Sequence, residues 1–490
     1  MPSYENLISR RKGLSIALSI SRLMPRKTIA ASACVLLAAI IATAALLLHK
    51  GTSGSDQDLD WLLAKVIREY NLRPLQTRRF EADPKYVLGQ ALFFDPVLSG
   101  TRDVSCATCH QLRYGTGDGL RRSIGVLGVG IGPARRLTRG SSVHPRNALD
   151  LWNRDNNAVK ALFWDGRVEV LDPVRKLYRS PLGTALPSGL QNALAVQALF
   201  PLVIPDEMLG EKSDRSPSYL PAGHRNLPND LVSSESFKNE TDRILDAHNR
   251  LILRLLGVNR PNEWQRAYRV LFADAYPAMR REDLSIVDLA NAIAHFEEMA
   301  FATKSSAWDR YLAGQRSAIT RAAKQGAILF YGKARCVACH AGPLFSDFEY
   351  HSVGIFGSRS GTSSEIDYGR WNVTYREKDR YRFRTPPLRN VTQTAPYFHD
   401  GSSSDLKQAV TRHLELLKNS DKYRDDGSFE MSLDQIESIS PVLVPKITLS
   451  EKEIHSLISF LSSLDFEPHN VDMIVPKRVP SGLPIEYPTH

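Results

Sequence analysis

Cysteine is scarce in this chain, with five in 490 residues. Cys34 lies in an apolar leader, and the other four fall in two Cys-x-x-Cys-His units, "CATCH" (Cys106, Cys109, His110) and "CVACH" (Cys336, Cys339, His340). No exported cysteine is left for a disulfide, which excludes a disulfide-stapled scaffold. Basic runs interleaved with aromatics are also missing. Residues 1–50 hold seven Lys/Arg and one Glu, so +6 of the formal +10 belongs to them. The excess left for the rest is too modest to point to nucleic acid. Long hydrophobic runs are lacking but for one, Thr28 to Leu48. At ~1.5 Å rise per residue it spans about 30 Å, enough to cross a bilayer. Arg10, Arg11, Lys12, Arg22, Arg26 and Lys27 precede it, so an N-terminal transmembrane helix would keep residues 1–27 cytoplasmic and export everything after Lys50. A cleaved signal peptide beginning at Met24 is the competing reading, and it exports the same residues. Apolar residues are not scarce: 42% hydrophobic with 24% charged suits two or three globular domains.

Three chemistries use a Cys-x-x-Cys pair. A thioredoxin-like redox pair does not require the following His. Structural zinc needs four converging ligands, which two pairs could supply. Covalent c-type haem needs two thiols for the vinyl groups and an adjacent His for the iron. Both units end in His and use every exported cysteine, which points to two c-type haems with His110 and His340 as proximal ligands. The flanks repeat as well. "LGQALFFDPVLSGTRDVSCATCH" and "QGAILFYGKARCVACH" align Gly89 with Gly326, Phe93 with Phe330 and Phe94 with Tyr331. Helical apolar spacing followed by a turn and the haem unit predicts an internal duplication of a small cytochrome c domain.

The blocks "LFFDPVLSG", "RNALDLWN", "FWDGR", "CVACHAGPLFSD", "FRTPPLRNV" and "APYFHDGS", in this order from about Leu88 to Leu464, resemble the bacterial di-haem cytochrome c peroxidase family, which includes the MauG-type enzymes. The resemblance implies a peroxidatic N-terminal haem and a C-terminal haem that passes electrons to it. It makes Trp164 of "FWDGR" the relay between the haems. In "QALFPLVIPDEM" it makes Glu207 and Gln197 the catalytic pair. Heterolysis of peroxide needs a base to move a proton between the two oxygens, a role for Glu207, with Gln197 orienting peroxide or water. A bridging calcium is implied at the Asn147 side chain and the carbonyls of Thr394 and Pro396, oxygen ligation that suits this ion. The resemblance also implies hydrogen peroxide as substrate, a small c-type cytochrome or copper protein as donor, a periplasmic location and, as in many members, a homodimer.

The chain departs from the family in two places. Fourteen positions after His399 the family carries the second haem's distal ligand, Met or, in MauG-type enzymes, Tyr; here the residue is His413. Exchanging a thioether for imidazole should lower the haem's potential. Tyr423 or Met431 would ligate instead if the register shifts. On the first haem, His144 is a candidate distal ligand, but it stands only three residues before Asn147, closer than the family spacing. Without it, the first haem is open to peroxide at rest.

The expected architecture is all-α: two cytochrome c-like haem domains in tandem after an N-terminal transmembrane helix. Residues 1–50 form the cytoplasmic tail and anchor or signal, 58–300 the peroxidatic domain with an insertion around 211–258, 301–470 the electron-transfer domain, and 471–490 an extended tail. The function expected is reduction of hydrogen peroxide to water. The alternatives are a MauG-like oxidation of a protein or organic substrate and a non-catalytic carrier or sensor.

Overall fold

The computed structural model describes residues 55–357, 366–415, 432–443, 447–466 and 471–485. The run Thr28 to Leu48 lies outside them, and no described helix is long and apolar enough to cross a membrane.

The same device builds both halves. In the first, Asp83 caps the helix Pro84–Phe94 by accepting from the Tyr86 N–H, and this helix crosses Ile286–Ala300, which opens on a Ser285/Asp288 capping box. In the second, Thr320 caps Arg321–Tyr331, which crosses Glu451–Ser462 behind a Ser450/Glu453 box. A glycine sits at each crossing. A Cβ on Gly89 would lie 2.0 Å from the Ala292 carbonyl oxygen, and one on Gly326 would lie 1.9 Å from that of Ser456. Only a residue without a side chain lets the backbones approach this closely. Aromatic pairs lock both crossings, Phe93 on Phe296 at 5.0 Å and Phe330 on Phe460 at 5.2 Å between ring centroids. The duplication expected from aligning Gly89 with Gly326 is thus a repeated helix crossing, with one apolar core around each.

The molecule is helix-rich rather than all-α. Ala161–Leu162, Val168–Asp172 and Leu177–Arg179 form an antiparallel sheet in that order, and Tyr350–His351 pairs with Phe383–Arg384. The stretch "VEVLD" alternates β-branched and polar residues, and Asp172 accepts from the Val174 and Arg175 N–H groups to turn the hairpin. These strands flank Trp164 and carry Arg384, so they form the scaffold between the halves.

Each half is also held by the other's end of the chain. The helix Asp56–Glu69 places Leu63 and Val66 in the C-terminal core, and its Asp60 accepts from Tyr311 (2.7 Å) and pairs with Lys324 (2.9 Å). Ile474, Val479 and Leu483 of the final segment pack into the N-terminal core, where Tyr86 donates to the Met473 carbonyl (2.8 Å) and Ser481 to buried Asp95 (2.6 Å). The insertion is packed rather than loose. Its helix Glu240–Leu256 carries Arg254, which donates to the Val97 and Ser99 carbonyls and pairs with Asp230, itself bound to Arg102.

Gly326→Ala forces a methyl group into the tighter crossing. Overpacking of this kind costs about 1–3 kcal/mol. Urea unfolding should show that loss; an unchanged midpoint would contradict so close an approach.

Two candidate haem cavities

Two cavities lie on either side of a shared wall. The first encloses about 1280 Å³ of atom-free space and the second about 1590 Å³, each partly open to solvent. Cys106, Cys109 and His110 line the first; Cys336, Cys339 and His340 line the second. The cysteine pairs therefore do not converge, which removes the four-cysteine zinc reading. Burial pushes the Cys109 and Cys336 thiols up to about 12, so both stay protonated. Cys339, Asp347 and His351 have ligand atoms within 4.8 Å of one another, but Cys339 is already committed by its Cys-x-x-Cys-His unit.

Three histidines share one geometry. Nδ1 of His110 is 2.8 Å from the Thr116 carbonyl oxygen, Nδ1 of His340 is 2.9 Å from that of Phe345, and Nδ1 of His413 is 2.9 Å from that of Ala409. Each ring donates through Nδ1 and keeps Nε2 as the free lone pair, the form that binds a metal. Burial holds all three neutral, His340 down to about 4. His413, on the helix Leu406–Glu415, lines the second cavity with His340, and its ring stacks on Phe398 at 5.2 Å. Tyr423 and Met431 lie outside the described residues.

Gln197 and Glu207 both line the first cavity. Gln197 lies on the helix Ala193–Leu199, capped by Asn192. Glu207 lies in the turn Pro205–Leu209, which comes so near Gly125 that a Cβ there would sit 1.7 Å from the Asp206 carbonyl oxygen. His144 reaches the same place, with Nδ1 3.4 Å from Glu207 Oε1 and the Asp206 backbone as a second partner. Burial opposes the charge on Glu207, but His144, then Arg167, outweigh it and hold the carboxyl below its usual range. Burial also opposes the charge on His144, yet Glu207 raises its pKa above the ordinary value.

Trp164 lines both cavities. Its indole N–H donates to the Asn147 carbonyl (3.0 Å). Asn147 in turn donates from its side chain to the Leu120 carbonyl (2.8 Å), and Thr394 and Pro396 line the second cavity beside it. The wall is fixed by a buried ion triad. Arg146 pairs with Asp165, the residue after Trp164, at 2.6 Å, and with Asp367 of the C-terminal half at 2.7 Å. Burial raises both carboxyls, but Arg146, joined at Asp165 by Arg167 (2.8 Å), overrides it, pulling Asp165 well below the carboxylate range and Asp367 down to about 2.

Sequence reasoning missed three buried ionisable residues that line the cavities. Arg384 lines both cavities and is 1% exposed; burial, with Arg154 nearby, lowers its pKa to about 9. Arg154 lines the first cavity with its Nη1 buried and unpartnered. Glu297 lines the same cavity with Oε2 unpartnered, and burial, then Glu298, raises it to about 8. In the second cavity, buried His399 Nε2 is also without a partner. Orphaned donors beside a haem-sized space suit the carboxylate edges of haem, and neutral Nε2 atoms beside paired thiols suit its iron and vinyl groups. The residues fit two c-type haems.

A fold with two such cavities defines a di-haem c-type cytochrome. The sequence profile described as "Di-haem cytochrome c peroxidase" matches residues 83–317. The chain is 30% identical over 418 residues to the methylamine utilization protein MauG of Methylorubrum extorquens, covering 84% of this chain and 87% of that one. It is 29% identical over 364 residues to the cytochrome c551 peroxidase of Nitrosomonas europaea, covering 73% and 83%. The fold matches that of the diheme peroxidase BthA from Burkholderia thailandensis with a TM-score of 0.54 at 20% identity, over 83% of this chain and 91% of that one. The chain belongs to the di-haem cytochrome c peroxidase family and is a peroxidase-type oxidoreductase; membership implies two c-type haems.

The ion triad predicts an acid transition. Asp165 and Asp367 sit below their unfolded value of about 3.9, so their stabilisation is complete above roughly pH 4 and drains away as pH falls through about 2. Arg146→Leu should cost about 3–5 kcal/mol at neutral pH, because two carboxylates lose their buried partner. Its stability should rise relative to wild type as acid neutralises them. A variant with the wild-type acid profile would contradict the triad.

Proposed function

We propose that this protein reduces hydrogen peroxide to water in the bacterial periplasm, with electrons from a small redox protein entering at the second cavity. The observation that carries the proposal is the meeting of Glu207, Gln197 and His110 in one cavity that shares Trp164 with the other. The first haem, when bound, supplies the iron that binds peroxide and the electrons that cleave its O–O bond. Glu207, kept ionised by His144, accepts the proton of the proximal peroxide oxygen at its carboxylate and returns it to the departing one. Gln197 orients peroxide through its side-chain amide. Trp164 passes electrons between the cavities, its indole fixed by the Asn147 carbonyl.

His144 is engaged by Glu207 and the Asp206 backbone, which supports a positioning role for it and would leave the first haem, when bound, accessible to peroxide. His413 would be the second residue to hold the haem of the second cavity, supported by its place in the cavity of His340 and by the Ala409 carbonyl that accepts from its Nδ1–H and leaves Nε2 for the iron. Asn147, Thr394 and Pro396, which line one cavity, would hold the calcium ion that the family resemblance implies. Chelation should then lower the melting temperature, and an unchanged melt would argue against the ion.

A MauG-like use of the oxidising equivalents on a protein or organic substrate is the second reading, supported by His413 in place of Met. A pure carrier or sensor has no need for a carboxylate at an open haem. Glu207→Gln should lower peroxide consumption by about 10²–10⁴-fold with unchanged haem content. Full activity in that variant would remove the assignment.

A further inference from the structure

A run of aromatic rings leads from the second cavity to the surface, and the peroxidase reading leaves it unused. Phe383 lines that cavity, stacked on His399 at 3.6 Å. Behind it lies Gly369, whose φ is +59° and where a Cβ would lie 3.1 Å from the tip of the Phe383 ring. Tyr368 precedes this glycine in the chain, and its ring lies 5.5 Å from that of Tyr381. Tyr368 is 5.3 Å from Trp371, and Trp371 is 5.4 Å from Tyr375. Tyr381 is 3% exposed and Tyr375 73%, so the ladder runs from interior to solvent.

Packing alone does not account for these residue types. A small core asks for Leu or Phe, whereas all four outer rungs are Tyr or Trp, the side chains that give up an electron most readily. Two of them donate to carboxylates, Tyr381 to Asp434 (2.6 Å) and Trp371 to Glu377 (3.2 Å). An acceptor so placed takes the O–H or N–H proton as the ring is oxidised, leaving a neutral radical. The turn that carries the ladder is fixed to the wall between the cavities. Asp367 accepts from the Gly369 N–H (2.9 Å) and the Asn372 amide (3.2 Å) while it pairs with Arg146. Exposed Arg376 and Lys378 follow Tyr375, and the exposed Glu377 between them is paired with Arg380.

We propose that Tyr381, Tyr368, Trp371 and Tyr375 carry electrons inward to the second haem from an external phenol bearing negative charge, oxidised at Tyr375. The inference rests on peroxide reduction by the chain. Each phenol loses one electron through the ladder and its hydroxyl proton to solvent. Two phenols, ArOH, and one peroxide give two waters and two phenoxyl radicals, H2O2 + 2 ArOH → 2 H2O + 2 ArO•, and the radicals couple through a new bond. Arg376 and Lys378 draw the anionic phenol to the ring.

The test uses the full-length holoenzyme, peroxide and para-hydroxyphenylacetate, with product coupling read by fluorescence. A second arm presents the same phenol as a tyrosine in an acidic peptide, which separates a small-molecule from a peptide source. Samples frozen after one equivalent of peroxide without phenol are read by electron paramagnetic resonance. The wild type should couple phenol and show a tyrosyl signal that Tyr375→Phe removes. Trp371→Phe should slow coupling at least about tenfold, a change in barrier of about 1.4 kcal/mol. Tyr375 is exposed, so its substitution reports even if Trp371→Phe fails to fold. Coupling at the wild-type rate in both variants overturns the proposal, as does peroxide consumption with a cytochrome donor but none with phenol. No consumption with any donor overturns the peroxidase reading itself, and the ladder's role with it.

Discussion

The buried triad of Arg146 with Asp165 and Asp367 is the constraint on which the arrangement of both cavities depends. A buried cation between two carboxylates is costly unless every charge is met, and here it is met from both halves of the chain. Asp165 follows Trp164, Arg146 stands between His144 and Asn147, and Asp367 opens the turn that carries Tyr368 and Trp371. One guanidinium thus sets the position of the shared tryptophan, the residues beside the first cavity and the start of the aromatic ladder. The triad's geometry is a form of preorganisation: the groups near the haem edges are placed before any substrate arrives.

The two cavities share an attachment chemistry and differ in what faces it. The first offers the Glu207 carboxylate, kept charged by His144, and an amide in Gln197. The second offers another neutral imidazole, His413, and mostly apolar walls from Leu406, Val410 and Leu457. A carboxylate suits proton movement, and a second imidazole closes an iron to small ligands. The proposed division of labour between oxygen chemistry and electron transfer would follow from these few side chains, on a fold that treats both halves alike.

Much of this was legible in the linear chain because the signals are local. Each Cys-x-x-Cys-His unit spans five residues, and Gly89 and Gly326 stand in matching apolar patterns ahead of them. Gln197, Glu207 and Trp164 were reached through motif resemblance, and the structure brings them into one cavity. What escaped depends on long-range contact. Arg154, Arg384 and Glu297 look like ordinary charged residues until the fold buries them, leaving polar atoms of Arg154 and Glu297 without partners. Asp56–Glu69 has the amphipathic pattern of any surface helix, and nothing local says that its apolar face belongs to the C-terminal core. The strands around Trp164 are two to five residues long, too short for periodicity to separate them from loops.

The measurement that tests the central claim most directly is rapid mixing of the fully oxidised holoenzyme with hydrogen peroxide, followed by absorbance. With His144 held by Glu207 and Asp206, it would not be available to close the first haem to peroxide. The account predicts an immediate spectral change without any prior reduction. A resting enzyme that stays silent until one electron is supplied would contradict it, because a side chain would then have to occupy the site where peroxide binds.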